Sequence, residues 1–185
     1  WIVGVSMTFS FAVRKSKGDD NKKLLLSVLR RSAIIFGLGM FLAGFPFGLL
    51  WDHHFSWATI RIPGVLQRIA VCYFVSSIIY LNTSMRGQII AIGALFVGYW
   101  MMMFYIPIPE FGAGLFEKGR NFAVYIDSMF LSGHMWGQTK TWDPEGIIST
   151  IPAIATTLFG AILGDYLRKS EQSKVEKSAW MFVFG

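Results

Sequence analysis

Few residues in this chain have the types and spacing to do chemistry, and two arginines come first. Arg61 and Arg68 stand seven positions apart, on either side of Pro63, at the head of a long apolar run. A guanidinium inside such a run is costly, so it faces the protein interior or water and marks a ligand or partner. Its planar fork suits a carboxylate or a phosphate. Pro63 fits the first turn of a helix, where its missing N–H costs nothing. Arg68 is then the sixth helical residue, about 8 Å inside the outer end at 1.5 Å per residue. A helix that begins early enough puts Arg61 on the same face, and Gln67, Cys72 and Ser76 extend that polar side inward. Snorkelling of Arg68 to the interface would explain the same position with no ligand.

The second candidate is Trp142-Asp143-Pro144-Glu145-Gly146, at the entrance to the next apolar run but one. Asp143 can N-cap a helix there, with Pro144 at N1 and Glu145 at the positive end of the macrodipole. The same two carboxylates at a cavity mouth would offer an acid/base or sugar-binding pair. Capping accounts for Asp143 well but for Glu145 less well, because Gly146 weakens the helix that Glu145 would stabilise. The histidines, His53, His54 and His134, stand in polar connecting segments without the carboxylate or cysteine spacing of a zinc site. Cys72 has no basic neighbour in sequence and reads as an inert thiol. Asp165 has Arg168 three residues on and reads as a local ion pair.

These residues need elements to hold them, and the apolar runs supply them. Full-length spans are expected at 32–50, 63–81, 88–106 and 147–167, each near the roughly 20 residues that cross a bilayer. No run alternates with period 2, which argues against a transmembrane barrel. An apolar run ends at Val13 and another begins after Ser178, both too short to cross, so residues 1–185 read as a fragment of one integral membrane domain truncated at both ends. The expected fold is an all-α polytopic transmembrane bundle of four complete spans and two truncated ones. Segments 14–23, 82–87 and 168–178 carry ten Lys/Arg, whereas the longer 51–62 and 107–146 carry four. The positive-inside bias therefore puts the first group in the cytoplasm and the second outside. Within 107–146, Phe122, Tyr125, Ile126, Met129 and Phe130 recur at one face of an amphipathic helix too short to span. Thr156, Gly160 and Gly164, like Gly44 and Gly48, form small-residue seams that let helices approach within one chain or between two copies, which leaves a homo-oligomer open.

Composition agrees. Of 185 residues 54% are apolar and only 15% charged, against about 25% charged in soluble domains. A single cysteine excludes disulfide scaffolds and multi-thiolate metal sites. The net charge of +6 is concentrated beside apolar runs, where a lipid bilayer is the partner rather than a nucleic acid.

Three blocks carry a resemblance: residues 61–70 (RIPGVLQRIA), 121–136 (NFAVYIDSMFLSGHMW) and 141–164 (TWDPEGIISTIPAIATTLFGAILG). In order and spacing they resemble the heparan-alpha-glucosaminide N-acetyltransferase family and its bacterial relatives, with Ser128 standing where an arginine is expected. The resemblance implies a multi-pass acyltransferase of the bacterial cytoplasmic membrane. It would move an acetyl group from cytosolic acetyl-CoA, without a metal, to an amino sugar or glycan on the extracytoplasmic side. It also implies that the catalytic histidine lies upstream of Trp1, so that the fragment alone is inactive and none of its own histidines takes that role. Arg68, Asp127, His134, Asp143 and Glu145 fall in matching blocks and carry over as candidates to line the substrate site, beside Arg61 and Gln67 from the spacing argument. Lys15, Arg30 and Arg31 are cations for the phosphates of CoA, although positive-inside bias explains them equally. A transporter or flippase for an anionic or sugar-linked substrate is the alternative; the chain shows no internal repeat of the kind that would favour it.

Overall fold

A computed structural model describes residues 1–45, 47, 56–169, 175–176 and 178–179. His53, His54, Gly48 and most of the expected C-terminal truncated span lie outside the described residues. Among the described residues six named helices follow one another: α1 (Ile2–Ser16), α2 (Asn21–Gly44), α3 (Val65–Asn82), α4 (Met85–Tyr105), α5 (Phe122–Leu131) and α6 (Ile147–Lys169). A 3-10 turn at Trp57–Thr59 precedes α3, and a two-residue hairpin, β1 (Phe116–Glu117) with β2 (Arg120–Asn121), precedes α5. Among the described residues four helices, α2, α3, α4 and α6, are long and apolar enough to cross a membrane. In hydrocarbon a backbone must satisfy its own polar groups, and a continuous apolar run does so only as a helix.

Helix α2 begins eleven residues before the expected span. Asp20 accepts from the Asn21 amide at 2.7 Å and starts it. Leu24, Val28 and Ser32 then recur every four residues as a buried stripe, although lysines and arginines occupy the other faces. That stripe packs Leu24 and Val28 with Met7, Phe11, Tyr73 and Leu81. Helix α6 is the hub, touching α1, α3, α4 and α5. Its small residues explain the α1 contact, because a Cβ at Gly160 would strike the Trp1 carbonyl and one at Gly164 the Thr8 hydroxyl. The third member of that seam is Thr157 rather than Thr156, which is exposed; Gly4 of α1 rests on the Thr157 carbonyl. Gly44 meets Phe47 of its own chain instead of another helix.

Contacts between helices fix which ends lie together. The Asn21 side chain reaches the Leu81 carbonyl, and Tyr80 reaches Asp165. At the other end Ile62 donates to His134, and Arg61 bonds Asp143. Linkers 17–20 and 83–84 therefore share one end with the close of α6, while 56–64 and 106–146 share the other.

Candidate active site

The second end gathers the charged candidates. Pro63 and Gly64 are not helical: Gly64 is extended (φ −166°, ψ 168°) and α3 starts only at Val65. Arg68 is thus the fourth helical residue rather than the sixth, nearer 5 Å than 8 Å deep. Arg61 precedes the helix, so it shares no helical face with Arg68. The polar side expected below them also divides. Gln67 turns to α2, against Gly39 and the Met40 sulfur, whereas Ser76 bonds the Ile154 carbonyl of α6.

What joins Arg61 to Arg68 is the turn before α6. Arg61 forks onto Asp143, with Nε to Oδ2 at 2.8 Å and Nη2 to Oδ1 at 2.7 Å, and Nη2 also meets Glu145 Oε2 at 2.5 Å. Its guanidinium lies 5.8 Å from the ring centre of Trp136. Arg68 donates from Nη1 to the Pro144 carbonyl at 3.0 Å and from Nη2 to the Ser149 carbonyl at 2.6 Å. Both of its bonds go to neutral oxygens, so its charge is left without a carboxylate among the described residues. His134 holds the strand-like segment carrying Arg61. Its Nδ1 donates to the Ile60 carbonyl at 2.8 Å, and its own carbonyl accepts from Ile62 at 3.0 Å.

The helix-cap expectation at Asp143 fails, and the reason is geometric. Helix α6 begins four residues later, at Ile147, and its first amide donates at 2.9 Å to Asp127 of α5. Asp127 is only 2% exposed and lies so close that any side chain at position 146 would strike its carboxylate, which fixes Gly146 as glycine. Burial pushes the Asp127 carboxyl above its usual range, against the opposing Ile147 amide. Asp143 instead fills all its acceptor positions, taking the two Arg61 bonds, the Trp136 amide at 2.9 Å and the Glu145 amide at 3.0 Å. Burial pushes this carboxyl up too, but the Arg61 fork and the Glu145 amide outweigh burial and hold it below its usual range. The Arg61 guanidinium is raised in turn, first by its bond to Asp143 and against its own burial.

Glu145 differs from both. Oε2 takes Arg61, while Oε1 carries no hydrogen bond among the described residues. Glu145 and Arg68 together border a cavity of about 210 Å³ that Phe36, Ile62, Val71 and Leu131 also line. Gln67 forms part of its wall. Arg68 also borders a second cavity, about 270 Å³, with Cys72 and Thr157 deeper in the bundle. Cys72 is buried, in keeping with an inert thiol. A saturated carboxylate, an unsaturated one and an uncompensated guanidinium at one cavity mouth can orient a polar ligand and take up a proton. Among the described residues no group of three or more His, Cys, Asp or Glu could hold a metal ion.

The expected amphipathic helix is α5, but it is turned. Phe122, Asp127 and Leu131 are buried, whereas Met129 and Phe130 are 55% and 66% exposed. The Asp127 bond to α6 overrides the apolar face. Ser128 bonds only the Tyr125 carbonyl of its own helix. Trp136 went unread in sequence; an amide on Asp143 and a ring under Arg61 leave no periodic trace.

Four apolar crossing helices and a charged site at one end define a multi-pass membrane protein. No family model matches the chain. It is 26% identical over 233 aligned positions to human heparan-alpha-glucosaminide N-acetyltransferase, across all of this chain and 34% of that protein. It is 24% identical over 232 positions to the mouse enzyme of that name, across all of this chain and 35% of that protein. The chain spans about a third of the length of these curated relatives. The similarity supports a relationship to that N-acetyltransferase family.

Proposed function

We propose that this chain forms part of a membrane-embedded acetyltransferase that takes an acetyl group from cytosolic acetyl-CoA and delivers it to an amino sugar or glycan on the extracytoplasmic side. The observation that carries the reading is the Arg61–Asp143–Glu145 cluster, with Arg68 beside it, at the mouth of the cavity. The similarity to two N-acetyltransferases along the whole chain supports it. Acyl transfer from a thioester needs an acceptor held in place, a base for its proton and donors for the developing oxyanion. Glu145 is the group assigned to the acceptor's amine, because it borders the cavity and its Oε1 carries no hydrogen bond among the described residues. Arg68 is the cation assigned to negative charge there. Asp143 and Asp127 are positioning residues: the first holds Arg61 and the turn, the second holds the start of α6. His134 positions the Arg61 segment, and Gln67 shapes the cavity wall.

Sidedness follows from charge. The end carrying Arg14, Lys15, Lys17, Arg86 and Arg168 is placed in the cytoplasm, and the Arg61 end outside, in a bacterial inner membrane. Near the middle of the bundle, Arg31 borders a cavity of about 320 Å³ with Ser6 and Tyr73 and is assigned to the donor's phosphates. The test is transfer by the full-length protein in sealed vesicles, with labelled acetyl-CoA on one side and an amino sugar on the other. Label must appear on the sugar, and Glu145→Gln must depress it at least tenfold. Sugar movement without acetylation would replace this reading with a transporter. Impermeant thiol reagent should label Lys118→Cys in intact cells and spare Lys17→Cys; the reverse inverts the assignment.

A further inference from the structure

The cavity beneath Arg68 and Glu145 does not end in the bundle. It shares Phe36 and Val71 with a neighbouring cavity of about 220 Å³ that continues between α2 and α3 past Ala33 and Phe74 to Leu29. Together they form one groove. Along α3 it runs from Gln67 to Phe74, seven residues, about 10 Å at helical rise. Its rim residues Leu29, Phe36 and Val71 are 51%, 36% and 39% exposed, so it opens sideways on the face of the bundle. Its charged groups, Arg68 and Glu145, stand at one end only, and its walls beyond them are almost wholly carbon. One polar atom interrupts that surface. Ser32 lines the neighbouring cavity, the residue is 7% exposed, and its hydroxyl is the one buried side-chain polar atom without a partner among the described residues. Helical serines ordinarily bond back to their own helix, so an unspent donor here calls for an acceptor from elsewhere.

A free glycan offers no apolar surface to match these walls, and pockets are lined to match what they hold. A polar head at the charged end and an apolar tail along the carbon-lined walls match the groove. We propose that the acceptor is lipid-anchored: a saccharide whose fatty-acyl chain lies in the α2–α3 groove and whose head meets Arg68 and Glu145. The inference rests on the acetyltransferase reading above and adds the class of acceptor to it.

The test uses the full-length protein in nanodiscs and two acceptors with the same amino-sugar head, one on a fatty-acyl glycolipid and one on a methyl aglycone. Partition into the bilayer lowers the KM of the acylated acceptor by itself, so the decisive comparison is Ala33→Phe, which fills the groove away from the charged mouth. The variant should raise KM for the acylated acceptor at least tenfold and leave the methyl glycoside unchanged. An equal effect on both acceptors, or none on either, overturns the proposal. Transfer to neither acceptor would count against the acetyltransferase reading, and a photoreactive acyl chain on the same head then decides the groove separately. Crosslinks to α2 and α3 that Ala33→Phe or Ala33→Leu suppresses support it. Crosslinks insensitive to both variants, or equal yield from a phospholipid of the same chain length, overturn it.

Discussion

A buried acid stands near each end of helix α6, Asp165 within it and Asp143 four residues before it, and the two are built differently. At the Lys169 end, Asp165 accepts from the Tyr80 hydroxyl at 2.7 Å, from Arg168 at 3.1 Å and from Lys169 at 3.0 Å. Two of those partners are its own helix neighbours, three and four residues on. At the Ile147 end, Asp143 draws Arg61 from 82 residues away and the Trp136 amide from a third segment. Asp143 takes four hydrogen bonds and Asp165 three. In the second cluster Glu145 Oε1 has no hydrogen-bonded partner and Arg68 no charged one among the described residues, and both residues border one cavity. A buried carboxylate is therefore no sign of function by itself; unspent hydrogen-bonding capacity beside an open volume is.

The sharpest way to break this comparison is to remove the two acids in turn. Asp143→Ala strands the Arg61 fork and two backbone amides, and losing one partner of a buried pair costs about 3–5 kcal/mol. Its side chain is fully buried, although Arg61 keeps 29% exposure, so the lower figure applies. Thermal unfolding in detergent should fall steeply, with transfer lost alongside. Asn or Ser should rescue neither, whereas a simple N-cap would tolerate both at about 1 kcal/mol. Next in size is Glu145→Gln. Transfer should drop at least tenfold, about 1.4 kcal/mol of transition-state stabilisation, while the melting temperature barely moves. Parallel loss of stability and activity would reduce Glu145 to a second Asp143.

pH sharpens the contrast further. The lowered Asp143 carboxyl contributes stability that is present above the unfolded carboxylate value of about 3.9 and is lost as pH falls through its folded value. Asp127 has the opposite sign. Its raised carboxyl means the folded state holds the proton more tightly, so stability declines as pH rises from about 3.9 through the folded value. Asp127→Asn keeps the acceptor for Ile147 and removes a desolvated charge. It should match or exceed the native protein in thermal stability at pH 7, with any gain vanishing toward pH 4; a loss at pH 7 restored by acid would reverse the assignment.

The smallest effect belongs to Asp165→Asn. Lys169 is 62% exposed and Arg168 34%, so solvent screens both pairs, and the cost should stay within about 1 kcal/mol. Transfer should be unchanged within twofold. A tenfold loss there would erase the distinction between the two ends.

What the sequence determined by itself is the class of the molecule and the chemistry it holds in reserve. Uninterrupted apolar runs have one way to satisfy their backbone in lipid, so three of the four spans begin and end within three residues of where hydropathy put them. The pair Asp165–Arg168 was legible too, since helical periodicity alone brings i and i+3 together. The start of α2 was not legible, because charges on its outer faces hid a buried stripe that only packing on α1 and α3 makes worthwhile. Nor was the division of labour among Asp127, Asp143 and Glu145. Local rules gave Asp143 the role of cap, and in a single helix it would have been one. Tertiary structure gave that role to Asp127, twenty residues away on another helix. Asp143 was thereby released to hold Arg61, and Glu145 was left bordering the cavity with only one oxygen bonded. Which of several equivalent carboxylates is spent depends on donors far along the chain, and only the folded packing brings those donors within hydrogen-bond reach.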